Sequence, residues 1–160
     1  MDFFEFRKSF ESELARLKLP GDCKQFEPTW EVILPPLSWS VTLILQFSND
    51  KYVRVWENHD RFAGLQDSRR IQWAYHYGDV VATNTQGDPV VKSPDDPLEI
   101  RIDTCSGLHM HYRARNPHYE QKNVVGLDLK SINSFNFIKR ILKHRKTATP
   151  LDKVFGFKLI

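Results

Sequence analysis

The chain has 160 residues, 41% hydrophobic and 12% aromatic, with 23 Lys and Arg against 20 Asp and Glu and a net charge of +3. That length suits one domain, residues 1–160, built on a single core. The apolar content is enough to bury a core, so disorder is not expected, and so small a positive excess does not by itself mark a nucleic-acid binder.

The start, MDFFEFRKSFESEL, is interrupted by charge and does not read as a secretory signal. No apolar run approaches the ~18 residues of a membrane span. A cytoplasmic protein with no membrane partner is expected. The two cysteines, Cys23 and Cys105, show no CxxC or Cys/His zinc spacing and read as free thiols. No cofactor motif is present, and no cofactor is expected.

Asp2 to Leu19 reads as an amphipathic helix, with Phe3, Phe6, Phe10, Leu14 and Leu17 on one stripe. Asp2 is its N-cap and Glu5 the capping-box partner, and Pro20-Gly21 ends it. Residues 22–37 form a proline-bearing connector with an extended piece at Trp30–Leu34. Trp39–Phe47 and Lys51–Glu57 make an antiparallel hairpin around Ser48-Asn49-Asp50. Tyr52, Arg54 and Trp56 share one face of its second arm, Val53 and Val55 the other.

His59 to Arg70 reads as a polar loop with one helical turn. Ile71–Tyr77 is a third strand, with Ile71, Trp73, Tyr75 and Tyr77 toward the core and His76 opposite. Residues 78–97 exceed an ordinary connection and hold at most a small hairpin around Gln86-Gly87. Leu98–Thr104 and Leu108–Ala114 form a second hairpin, followed by a polar loop and a short extended segment, Val124–Leu129. A closing helix, capped by Ser131 or Ser134, runs to about Lys146 and buries Ile132, Phe135, Ile138 and Leu142. Lys153–Ile160 reads as a last strand. The expected fold class is α+β: a five- or six-stranded, mostly antiparallel sheet with an N-terminal and a C-terminal helix packed on one face.

The second hairpin carries the chemistry. Side chains alternate across a strand, so Leu98, Ile100, Ile102, Leu108, Met110 and Tyr112 belong to the core. Arg101, Asp103, His109, His111 and Arg113 then lie on the other side. Only a three-residue loop, Cys105-Ser106-Gly107, keeps polar opposite polar, with a positive φ at Gly107. It pairs Asp103 with His109 and Arg101 with His111. A helix should not cover so polar a patch, so this face is expected to be open.

Three readings of the patch stand. It is a solvated sheet face; or a metal-independent phosphoryl-transfer site, with no metal bound; or a metal site. In the second, one histidine is the general base, the other or His118 the general acid, Asp103 fixes a tautomer, and Arg101 and Arg113 neutralise phosphate. In the third, His109 and His111 are ligands and Asp103 or His118 completes the set.

The segment KRILKHRK, Lys139 to Lys146, holds five Lys/Arg and one His in eight residues. Cations suit a helix C-terminus, but the stripe also fits a phosphate backbone. Arg115, Lys139, Arg140 and Lys143 join Arg101 and Arg113 as candidate substrate-binding residues, and RNA or another nucleic acid is the expected partner. Trp56, Tyr75 or Tyr77 are candidate stacking platforms.

Arg101-x-Asp103, a short gap, then His109-x-His111, before a helix from about Ser131, resembles the TumE-type toxins of bacterial toxin–antitoxin pairs. The similarity covers at most Leu98 to His144. Thr104 stands where the family pattern has asparagine, and the chain is longer than the usual toxin. The resemblance implies a nucleic-acid-directed, toxin-like activity with a protein antitoxin as partner. The expected function is a ribonuclease using His109, His111, Asp103 and His118. The alternatives are a non-catalytic adaptor that binds nucleic acid or a protein through the basic face, and a metal-dependent hydrolase through His109, His111 and His118; a homodimer is among the expected partners.

Overall fold

Asp2 starts the first helix, α1 (Phe3–Arg16), by the predicted capping box: the Glu5 N–H donates to Asp2 Oδ1 at 2.9 Å, and the Asp2 N–H donates to Glu5 Oε2 at 2.9 Å. The computed structural model describes residues 2–34, 38–48, 50–60, 69–80, 82–86, 89, 98–105, 107–113 and 118–160. The chain is α+β, as expected, and its main sheet is antiparallel at every pairing.

Among the described residues that sheet has eight strands, against the five or six expected. The strands are β1 (Cys23–Gln25), β2 (Thr29–Leu34), β3 (Ser38–Phe47), β4 (Lys51–Asp60), β5 (Arg69–Asp79), β6 (Leu98–Asp103), β7 (His109–Tyr112) and β8 (Tyr119–Glu120). Neighbours follow the order β1-β3-β4-β5-β6-β7-β8, and β2 pairs with β3 beside β1. The surplus comes from the connector, whose two pieces both pair with β3, and from the two-residue β8.

β4 continues through His59 to Asp60, where the sequence suggested a loop; His59 is buried and pairs with Arg70. Residues 61–68, the rest of that expected loop, lie outside the described residues, as do Gly87 and residues 90–97. Thr83 and Pro89 form an isolated antiparallel bridge around the expected turn.

One face of the sheet carries the core. Val41, Leu43, Leu45, Phe47, Val53, Val55, Trp73, Tyr75, Tyr77, Ile100, Ile102 and Met110 share it, and Phe10 and Leu14 of α1 pack on it. So do Phe135, Phe137, Ile138 and Ile141 of α2 (Ser134–Thr147). Asn133, not Ser131 or Ser134, caps α2: its Oδ1 accepts from the Asn136 N–H at 2.9 Å. Ile71, expected in the core, is 44% exposed at the start of β5. The expected last strand, Lys153–Ile160, begins instead as the end of a short helix, α3 (Leu151–Phe155). Only β10 (Lys158–Leu159) is extended, and it pairs with β9 (Val124–Val125) outside the main sheet. No helix among the described residues is long and apolar enough to cross a membrane.

Candidate reaction centre on the polar sheet face

The face away from the helices is built by strand parity. Register aligns Arg54 with His76, His76 with Arg101, and Arg101 with His111, giving one cross-strand row. The next row aligns Trp56, Ala74, Asp103, His109 and Glu120. The predicted pairs Asp103–His109 and Arg101–His111 are both present, and Gly107 takes φ +95° in the loop between the arms.

The expectation of an open face is corrected. No helix among the described residues covers it, yet Asp103 is 1% exposed, His76 3%, His111 7% and His109 9%. Their own neighbours contribute to this burial: the Tyr52 ring stacks on His76, and the His118 ring stands against both hairpin histidines. The solvated-face reading does not survive that burial, because ionisable groups are rarely buried without partners.

The partners fix the chemistry of each atom. His109 Nδ1 lies 2.7 Å from the Gly107 carbonyl oxygen. A carbonyl only accepts, so Nδ1 carries the proton and donates. Nε2 of the neutral ring is then a bare lone pair, 3.0 Å from His111 Nε2. His111 supplies the N–H of that contact. Asp103 Oδ1 lies 3.4 Å from His109 Nε2. Arg101 Nε donates to Asp103 Oδ2 at 2.5 Å, and the Cys105 N–H donates to Oδ1 at 2.9 Å. Asp103, His109 and His111 therefore each turn one donor atom to a common point, all within 4.8 Å of one another.

His118 is exposed, with its ring centroid 4.9 Å from that of His109 and 5.7 Å from that of His111. It lines a shallow pocket of about 320 Å³ with His109, Glu120 and Lys122. Arg54, which the sequence did not single out, lies in the same row as Arg101 and makes no ion pair among the described residues. Burial holds its guanidinium below the ordinary arginine value, and the Arg101 charge adds to that effect. The alternation of KYVRVWE places Arg54 on a face with Tyr52 and Trp56, but only the strand order aligns it with Arg101.

The other predicted substrate-binding residues do not gather here. Arg113 takes φ +55°, which ends the strand alternation, and its guanidinium lies over the Tyr112 ring at 4.9 Å. Lys139, Arg140 and Lys143 stand on α2, so the sheet separates them from the histidines. Arg140 lies over Phe155 at 5.5 Å. Arg115, with Asn116 and Pro117, is outside the described residues. Tyr75 and Tyr77 are buried in the core and are not stacking platforms.

Comparison of the chain with protein-family models, curated proteins and solved structures returned no match.

Proposed function

We propose that the chain is a hydrolase of phosphodiester bonds with RNA as its substrate class, its reaction centre the Asp103–His109–His111 cluster and its proton donor His118. The observation that carries this reading is the buried convergence of three donor atoms beside a pocket that holds a third imidazole. Cleavage of a phosphodiester needs a proton acceptor and a proton donor on opposite sides of the phosphorus. His109 and His111 face each other at 3.0 Å, which leaves no room for a phosphate between them. The pair acts as one unit that activates the nucleophile, and the donor role falls to His118, whose exposed ring stands against His109 at 4.9 Å between centroids and turns aside to admit the phosphate. Arg54, in the same row as the Arg101–Asp103 ion pair and with no carboxylate partner of its own among the described residues, favours an anionic substrate on this face. A toxin-type role with a protein antitoxin as partner goes with this reading.

The test is cleavage of a labelled mixed-sequence RNA by the full chain. His118→Ala should lower the rate about 100-fold, while its unfolding free energy stays within ~0.5 kcal/mol because the side chain is exposed. His109→Ala should abolish cleavage. Unchanged rates in both variants would sink the assignment. The adaptor reading is favoured by a separate observation, the exposed Lys139, Lys143 and Lys146 on α2. Salt-sensitive RNA binding without turnover would put it first.

A further inference from the structure

We infer that Asp103 Oδ1, His109 Nε2 and His111 Nε2 bind one divalent transition-metal ion of the zinc type, with an open position toward the His118 pocket. The inference rests on the reading of this cluster as the reaction centre and names what activates the nucleophile there.

The spacing carries it. Ligand atoms about 2.0–2.1 Å from a tetrahedral ion stand roughly 3.3 Å from one another. The two Nε2 atoms are 3.0 Å apart, and His109 Nε2 is 3.4 Å from Asp103 Oδ1. The third edge, from His111 to Asp103, is at most 4.8 Å, so side-chain shifts of about 1.5 Å or less close the set on an ion. His109 already presents a lone pair, because its Nδ1–H is held by the Gly107 carbonyl. That is the outer-sphere hydrogen bond by which a ligating imidazole is oriented. Arg101 holds the far oxygen of Asp103 and leaves Oδ1 turned toward the histidines. When the ion binds, it replaces the proton between the rings, and His111 carries its N–H on Nδ1.

The donor set also selects the ion. Two imidazoles and one carboxylate suit zinc, cobalt, nickel or iron, whereas magnesium and calcium take oxygen ligands. Arg101 neutralises Asp103, so the cluster offers no net negative charge to draw a hard cation electrostatically. Asp103, rather than His118, completes the three ligands. Three protein ligands and one open position make a catalytic rather than a structural zinc site. Water on the ion attacks phosphorus after losing one proton to solvent. The bond from phosphorus to the leaving ribose oxygen breaks, and that oxygen takes its proton from His118.

The full chain, stripped with EDTA and dialysed, is titrated with ZnCl2 by calorimetry and with CoCl2 by visible absorption. One ion per chain and the strong visible bands of tetrahedral cobalt are expected. His111→Ala and Asp103→Asn should weaken zinc binding about 100-fold or more, since each removes a ligand. His118→Ala should leave it within about threefold, because the His118 ring lies outside the ligand set. If His111→Ala does not fold, judged by its thermal melt, His109→Gln carries the comparison. Absence of saturable binding, or equal binding by the ligand variants, overturns the site. RNA cleavage that persists in the stripped chain with chelator present overturns the ion's role and leaves the ribonuclease reading standing. Stoichiometric binding without cleavage of any RNA does the reverse.

Discussion

Glu57 and Asp103 are both buried carboxylates, one on each side of the sheet, and their partners give them different work. Asp103 turns an oxygen to two imidazoles beside a pocket. Glu57 is enclosed on the core face: Tyr75 Oη and Ser134 Oγ donate to its Oε1, and His59 Nε2 donates to its Oε2 at 2.9 Å. Those bonds tie α2 to β4 and β5. Burial alone would push the Glu57 carboxyl up, but the hydrogen bonds from His59 and Tyr75 and the charge of Arg70 outweigh it and hold the group below its ordinary value. A carboxyl depressed in the folded chain adds stability above the unfolded value of about 4.3. That contribution is lost as pH falls through the lower folded value. Glu57→Gln should therefore cost roughly 3 kcal/mol at neutral pH, as breaking a buried charged network does. The gap from the parent should narrow steadily below about pH 4. Urea unfolding of both proteins across pH checks this; a gap that stays constant would mean that the carboxylate charge is not what holds the network.

At the scale of elements, two glycines make different demands. Gly107 has φ +95° with open space around the Cβ position, whereas Gly126 has φ +91° and a Cβ there would lie 2.6 Å from the Gly156 carbonyl oxygen. Gly107→Ala should thus cost about 1 kcal/mol from backbone strain. Gly126→Ala should cost at least ~1–2 kcal/mol more, because the backbone joining β9 to the tail must give way. Equal melting temperatures for the two variants would contradict this. The β6–β7 hairpin was legible in the sequence because one face had to be apolar, and only one loop length allowed it. Parity assigned Arg101, Asp103, His109 and His111 to one side, but it does not tell whether that side is covered, so their burial was not legible. It failed at Arg113, where a left-handed residue ends the alternation. Trp30–Leu34 reads as extended and is β2, but its pairing with β3, and β1 as a whole, are not legible, because a three-residue edge strand carries little pattern of its own. The tail was misread because Phe155, Phe157 and Leu159 alternate like a strand, while Leu151 and Phe155 also stand one helical turn apart after Pro150. Packing of α3 against α2 decides it.

Across the whole molecule, the sheet keeps the candidate reaction centre and the basic helix apart. Lys139, Lys143 and Lys146 are exposed on α2 and make no ion pair among the described residues, while the histidine cluster occupies the far side of the sheet. Arg145 is otherwise engaged, bonded to Asp22 and Tyr77 and stacked over Phe47 at 4.0 Å. A helix layer on a sheet sets its outer surface more than 10 Å from the opposite sheet face. On the proposed function, a very short RNA at the cluster would not reach those lysines, and a longer strand would do so only by passing round a sheet edge. The triple change Lys139→Glu, Lys143→Glu and Lys146→Glu should leave cleavage of a dinucleotide unchanged within about twofold, since exposed charges this distant are largely screened. Binding of a long single strand should weaken, and its dependence on log salt should flatten by about 2, as expected when three phosphate contacts are lost. The comparison needs only initial rates and binding isotherms at several salt concentrations. A drop in dinucleotide cleavage equal to the drop on long RNA would place these lysines at the reaction centre and contradict the separation by the sheet. An unchanged salt slope would instead assign the helix cations to a different partner.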